Sequence, residues 1–498
     1  MYFVRATILS IFIGLFGVDS ARAERAFGPI YNESPLILAP GKRVEALGPF
    51  LSWEEKDSQR QFALPPLFSR TLDPDVESEE IDVLYPILTY DRYGSEYRVQ
   101  LLQVFSFAGG ATQEEEQKGR FTLFPFYFQQ RSENPAFNYT AVFPLGGTLR
   151  NRLFRDEIRF VMFPLYAKSW RKDVVTENYL FPIVHFRKGD GLSGWQVWPL
   201  AGSERKDVTS RTNSLDEEEV VGGHDKRFAL WPIFFKTRTG IGTENPEEQI
   251  SMLPLFTSMH SPQRDSSTAP WPLGLTVTED RARQYREIGA PWPLIVYAYG
   301  EGKNTKRVWP LFSRSSSTNQ ESNFYLWPVY KYNRFYSPPL DRTRTRILFF
   351  LYSDILEKNL DAGDALHRVD FWPFFTFRRD HSGNQRLQIL APLEPLLPNN
   401  KSIERDYSPL WSLWRAEKNP ATQASSQSLL WNLYRRDTTA TTKKCSLLFG
   451  LFQYESDGEA TRFRLFHGPS KSEKRQADSM TKGEIRMYDL IAEPGFPR

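Results

Sequence analysis

The chain has 498 residues, and 63 Lys and Arg stand against 60 Asp and Glu for a formal net charge of +3. That balance excludes a strongly basic nucleic-acid binder and an acidic disordered chain, so no nucleic-acid partner is expected. Aromatic residues make up 15% (38 Phe, 22 Tyr and 13 Trp), enough apolar surface for one large β architecture or several domains.

Residues 1–23 have the form of a secretory signal peptide. Arg5 is the positive n-region, Ile8 to Val18 the apolar stretch, and Ala21-Arg22-Ala23 the small-x-small cleavage pattern. The apolar stretch falls short of the roughly 20 residues a spanning helix needs, and no other segment reaches that length. The single cysteine, Cys445, rules out an intrachain disulfide. Export with almost no cysteine points to a bacterial cell envelope. Residues 24–60 carry little pattern and are expected to be a lead-in.

From residue 61 to 467 the chain repeats itself about every 20 residues. The core of each unit is an aromatic residue, a proline, then an aliphatic or aromatic residue. The aromatic–proline pairs are Tyr85-Pro86, Phe124-Pro125, Phe143-Pro144, Phe163-Pro164, Phe181-Pro182 and Trp198-Pro199. They continue as Trp231-Pro232, Trp271-Pro272, Trp292-Pro293, Trp309-Pro310, Trp327-Pro328 and Trp372-Pro373. Pro125, Pro144, Pro164, Pro182 and Pro199 follow one another at steps of 19, 20, 18 and 17 residues. Toward the C-terminus the proline drops out, as in Leu430-Trp431-Asn432-Leu433 and Leu448-Phe449-Gly450-Leu451.

Around each core the even positions are apolar, as Phe228, Leu230 and Phe234 or Phe324, Leu326 and Tyr330. Period-2 alternation rich in aromatics reads as β-strand. Turn signals such as Lys188-Gly189-Asp190-Gly191 separate the cores and are too short for a crossover. The expected fold is all-β: an antiparallel up-and-down meander of about 20 strands, centred on the prolines and closed into a large β-barrel. A β-hairpin solenoid, with each proline at a corner, or a layered open sheet is the alternative. A central proline lacks the ladder N–H and calls for a bulge or bend. Residues 203–226 and 354–367 are expected as inserts, the second helix-compatible at Ile355-Leu356-Glu357-Lys358, and residues 468–498 as a tail.

No catalytic constellation stands out. The six histidines have no paired ligand spacing, Gly240-x-Gly242 lacks a third glycine, and Gly191-Leu192-Ser193-Gly194 reads as a turn. The acidic run from Asp73 to Asp82 reads as a solvated loop without EF-hand order. Arg187, Arg238, Arg314, Arg378, Arg379 and Arg435 recur just after the cores, either as charges that block edge pairing or as a basic rim for anionic lipid. No enzyme activity, cofactor or metal is expected. The functional expectation is an exported outer-membrane β-barrel with a channel, transport or structural role and membrane lipid as its partner. The alternative is a soluble periplasmic or cell-surface scaffold for a glycan or protein partner.

Overall fold

The computed structural model describes residues 26–27, 30–110, 118–212, 218–458 and 460–465. The expected signal peptide at 1–23 and the tail at 468–498 lie outside the described residues. The chain forms two compact units, one of Pro66–Ser412 and one of Met1–Pro65 with Leu413–Arg498. Both are antiparallel β-structure. No helix among the described residues is long and apolar enough to cross a membrane.

In the larger unit the meander runs from the strand Phe68–Asp73 to the strand Gln385–Ile389. Successive sheet strands pair antiparallel, and most have five to eight residues. Each 20-residue repeat is thus a hairpin of two short strands, not one strand of about twice that length. This corrects the expected count of about 20 strands and their centring on the prolines. The segments at 86, 125, 144, 164, 182, 199, 232, 272, 293, 310, 328 and 373 are turns. The physical reason is the one that made a central proline awkward. A missing N–H interrupts a ladder but is tolerated in a reverse turn.

The turn also resets the face that a side chain meets. Across four-residue turns the paired residues are Val83 with Leu88, Tyr325 with Tyr330 and Val161 with Tyr166. Even spacing is therefore lost through the turn. Phe324 lies on the covered face, Tyr330 on the outward face, and Leu326 at the exposed tip.

Register rows cross the whole sheet. The row nearest the turns runs through Phe68, Val83, Leu88, Leu101, Phe105 and Leu123. Near the other end it passes through Phe312, Tyr325, Tyr330, Ile347, Tyr352 and Phe371. This row faces outward, with Phe105, Phe312, Tyr325 and Ile347 exposed. The next row faces the covered side and is largely polar, as Ser69, Asp82, Thr89 and Gln100. Hydroxyls there pair across strands: Thr268 with Thr276 at 2.8 Å, Ser251 with Thr257 at 2.6 Å, and Ser266 with Thr278 at 2.8 Å. Such pairs satisfy the buried polar atoms of this face. A compact apolar cluster of Tyr139, Ala141, Leu149, Phe160 and Ala167 interrupts the polar face.

The covered row continues from strand to strand without a step as far as Asp370, Thr376 and Gln388. Tilted strands in a closed barrel require a staggered register. Here the stagger is absent, and the strands Phe68–Asp73 and Gln385–Ile389 do not pair with each other. The expected closed barrel is therefore not formed by strand pairing in this unit. Instead the segment after the last strand folds back on the first hairpins. Its short helix Lys401–Asp406 is N-capped by Asn400, whose side chain accepts from the Ile403 amide. Arg405 then reaches Thr71 at 2.7 Å, and also Asp82 and Glu80, while the Tyr407 hydroxyl donates to the Tyr85 carbonyl.

Three further expectations are corrected. Residues 24–60 contain the strands Tyr31–Pro35, Gly41–Ala46 and Leu51–Lys56. Residues 354–367 belong to the strands Tyr352–Asn359 and Ala365–Phe371, which pair along their length. The stretch 203–226 continues the sheet through Ala201–Lys206 and Gly223–Ala229, and only a small hairpin, Thr209–Thr212 with Glu218–Val221, projects from it. The acidic run is likewise a paired hairpin, with Glu79 bound to Arg70 at 2.7 Å.

In the smaller unit, hairpins from both ends of the chain share polar contacts. Glu45 accepts from Asn432 and lies 3.5 Å from Arg415, and Asn419 donates to the Ile37 carbonyl at 3.1 Å. Burial pushes the Glu45 carboxyl up, but Arg415, Arg43, Arg435 and the Asn432 hydrogen bond outweigh it and hold the group below its ordinary value.

Candidate functional site: the aromatic–proline rim

All twelve aromatic–proline pairs fall on the same kind of turn at one rim of the ribbon. Five of the twelve turns open with a leucine or methionine at positive φ: Leu84, Met162, Leu180, Leu230 and Leu326. The aromatic–proline pair follows in the cis form, and the chain closes with an i to i+3 hydrogen bond. Examples are Ile183 to Leu180 at 2.7 Å and Val329 to Leu326 at 2.7 Å. This is the turn class that places a cis proline third. Where the proline is missing, Leu430, Trp431 and Asn432 all take positive φ, as do Leu448, Phe449 and Gly450. A run of left-handed residues closes those turns instead.

Neighbouring turns are bonded to one another. The aromatic N–H donates to the proline carbonyl of the preceding unit, as from Phe163 to Pro144, Phe181 to Pro164, Trp231 to Pro199 and Trp327 to Pro310, at 2.7 to 2.8 Å. The proline lacks a donor but its acceptor is used, so the rim remains a connected ladder. The aromatic rings also meet along it. Phe143 and Phe163 lie 5.4 Å apart, Phe163 and Phe181 5.6 Å, Trp198 and Trp231 5.8 Å, and Trp309 and Trp327 6.0 Å. Phe350 meets Trp372 edge-on at 5.5 Å. These separations are within the favourable range for aromatic pairs.

Tyr85 differs, because its hydroxyl accepts from Asn400 and its carbonyl from Tyr407. Trp271 and Trp292 each stand between two prolines, and the Trp292 indole donates to Glu287 at 3.2 Å. Phe124 keeps 62% of its surface exposed, and Leu230 and Leu326 at the tips keep 58% and 60%. The rim thus presents a run of exposed apolar side chains from turn to turn.

Two residues in from the outermost row, the third register row also faces outward and mixes cations with exposed apolar residues such as Phe186, Trp195, Ile288 and Tyr297. Arg159 stands beside Lys168, Arg227 beside Lys236, and Lys306 beside Arg314. Arg159 lies over the Trp170 ring at 5.1 Å, and Arg314 donates to the Tyr325 hydroxyl at 2.7 Å. The opposite rim is built of hairpin turns such as Asp190-Gly191, at φ of 51° and 68°, and in one of them Leu153 and Phe154 stand exposed. Of the basic residues that sequence reasoning set just after the cores, Arg314 lies in this row; Arg159, Lys168, Arg227, Lys236 and Lys306 were not singled out.

Among the described residues, no three His, Cys, Asp and Glu side chains gather as metal ligands. Four histidines meet single carboxylates, among them His224 with Glu204 at 2.8 Å and His367 with Asp354 at 3.0 Å. No protein-family model matches the chain, and no curated protein matches its sequence.

Proposed function

We propose that the protein is a non-enzymatic scaffold of the bacterial envelope that seats its aromatic–proline rim in outer-membrane lipid. The observation that carries this reading is the order of side chains on the outer surface. An exposed apolar edge of Trp, Phe and Leu is followed on the outer surface, at the third register row, by cation pairs such as Arg159 with Lys168 and Lys306 with Arg314. Aromatic residues favour the membrane interface, and Arg and Lys above them reach anionic head groups. Strands of about six residues rise only about 20 Å, whereas a tilted membrane strand needs about 9–11 residues. The rim therefore enters the lipid and the sheet stands above it. That same shortness favours the second reading, a soluble scaffold whose rim meets a glycan or protein partner.

The test is flotation of the purified chain with vesicles containing anionic lipid. The membrane reading expects co-flotation of the native protein and its loss in Leu311→Arg/Leu326→Arg. A native protein that stays in the dense aqueous fraction favours the soluble scaffold.

A further inference from the structure

We infer that the covered face of the larger unit holds a phosphate-binding site built from Lys331, Arg344, Arg346 and Arg307. This goes beyond membrane seating and does not depend on it.

The register brings Lys331, Arg344 and Arg346 together on adjacent strands and places Arg307 on the same face three strands away, past Ser313 and Phe324. Lys331 stands directly across from Arg346 on the neighbouring strand, a like-charge pair of the kind that destabilises a sheet. Arg344 precedes Arg346 by two residues on the same face and lies across from Asn333 and Ile355, neither of them acidic. All four side chains are partly buried. Their surroundings offer little negative charge. Asp370, two strands from Arg346 on the same face, already takes Arg368 at 2.8 Å and the Thr376 hydroxyl at 2.6 Å, and Glu357 on the adjacent strand lies 3.6 Å from Arg342. Among the described residues, Lys331, Arg344 and Arg346 have no hydrogen bond or ion pair, and Arg307 has only a long contact of 3.4 Å to the Ser313 hydroxyl. The Arg344 Nε is buried and without an acceptor.

Burial and the neighbouring Arg346, Arg307 and Arg344 push the Lys331 ammonium below its ordinary value, and burial with Arg346 and Arg342 does the same to Arg344. Several outward cations of this unit find carboxylates, as Lys168 with Glu177, Lys236 with Glu248 and Arg334 with Asp341. A group of cations without acids is complete only with an external anion. Guanidinium forks and an ammonium point charge suit a tetrahedral, multiply charged oxyanion better than a single carboxylate. Phosphate is that chemistry, whether free or as a lipid head group.

The test uses the full chain at constant ionic strength. Titration with inorganic phosphate against a chloride control, followed by calorimetry and phosphorus NMR, is expected to show saturable binding. Lys331→Gln and Arg344→Gln should each weaken it at least tenfold, and Lys331→Arg should retain it. Arg314→Gln, on the outward face, should leave it unchanged. A second arm compares vesicles of phosphatidylglycerol and phosphatidylcholine. A preference for the anionic lipid that the two glutamine variants abolish identifies the head group as the source, and a preference they leave intact identifies free phosphate. Failure of the native chain to bind inorganic phosphate above chloride overturns the site. So does equal binding by the native chain and the Lys331→Gln/Arg344→Gln double variant. If that double variant does not fold, the native titration with its chloride control decides alone.

Discussion

Replacing Arg405 with alanine tests how the two ends of the larger unit are tied. Arg405 retains 5% side-chain exposure and Asp82 6%, so both charges are withdrawn from water. The guanidinium also holds Thr71 at 2.7 Å and Asp406 at 3.2 Å. Arg405→Ala leaves Asp82 buried without its counter-charge, a change that costs about 3–5 kcal/mol. The loss falls on the first hairpins, because the helix Lys401–Asp406 no longer holds them. At about 1.4 kcal/mol per tenfold, amide exchange in Phe68–Val83 should accelerate by roughly two to three and a half orders of magnitude. Exchange in Lys303–Tyr325, far along the meander, should not change. Hydrogen exchange read by mass spectrometry resolves both segments. A companion variant, Arg405→Met with Asp82→Leu and Asp406→Leu, removes the buried charges together and should return exchange to within about tenfold of native, since a buried ion pair often contributes little net stability. Unchanged protection of Phe68–Val83 in Arg405→Ala would refute the account of this fold-back segment. Equal acceleration in both segments would refute its local character.

Three other outcomes follow from the structure. A double-mutant cycle of Trp309→Leu and Trp327→Leu should give a coupling of about 0.5–1.5 kcal/mol by denaturant melts, whereas Trp309 with Trp372 should be additive. Gly189→Ala places a Cβ 1.8 Å from the Asp173 carbonyl at φ +127° and should destabilise by at least about 1–3 kcal/mol; Gly363→Ala, at φ +69° in open space, should cost only about 1–2 kcal/mol. In the smaller unit the lowered Glu45 value means that its stabilisation is complete above the ordinary carboxylate range and is lost as pH falls through the folded value. Trp fluorescence on acid titration should therefore show a loss below about pH 4 that is shallower in Glu45→Gln, and an equally steep loss in that variant would contradict the assignment.

The repeat, its β-character and its antiparallel order were legible because aromatic–proline cores recur at near-constant spacing and alternation flanks each one. The place of the proline was harder to read. Tyr127 after Pro125 and Leu123 before it continue an apolar pattern that looks like one uninterrupted strand. The distinguishing signal was the residue opening the turn, such as Leu180 before Phe181-Pro182, which takes a left-handed conformation that periodicity does not register. Ile355-Leu356-Glu357-Lys358 looked helical over four residues, but pairing with Arg344 and Thr343 on one side and Arg368 and His367 on the other makes it strand. Arg405 had no sequence signal, because Thr71 and Asp82 are more than 300 residues away. The opposition of Lys331 and Arg346 likewise depends on a register that only the folded sheet supplies.

Membrane seating of the rim is tested most directly by the depth of its indoles. The native chain is mixed with vesicles whose acyl chains carry bromine at known depths, and Trp fluorescence is read residue by residue in variants retaining one rim tryptophan each. Seating predicts strong quenching of Trp231, Trp309 and Trp327 by bromine near the head-group end of the acyl chain. It also predicts no quenching of Trp411, which is held by Glu394 in the fold-back segment. Rim tryptophans that remain unquenched, while the protein is folded and the lipid is in excess, would contradict the account.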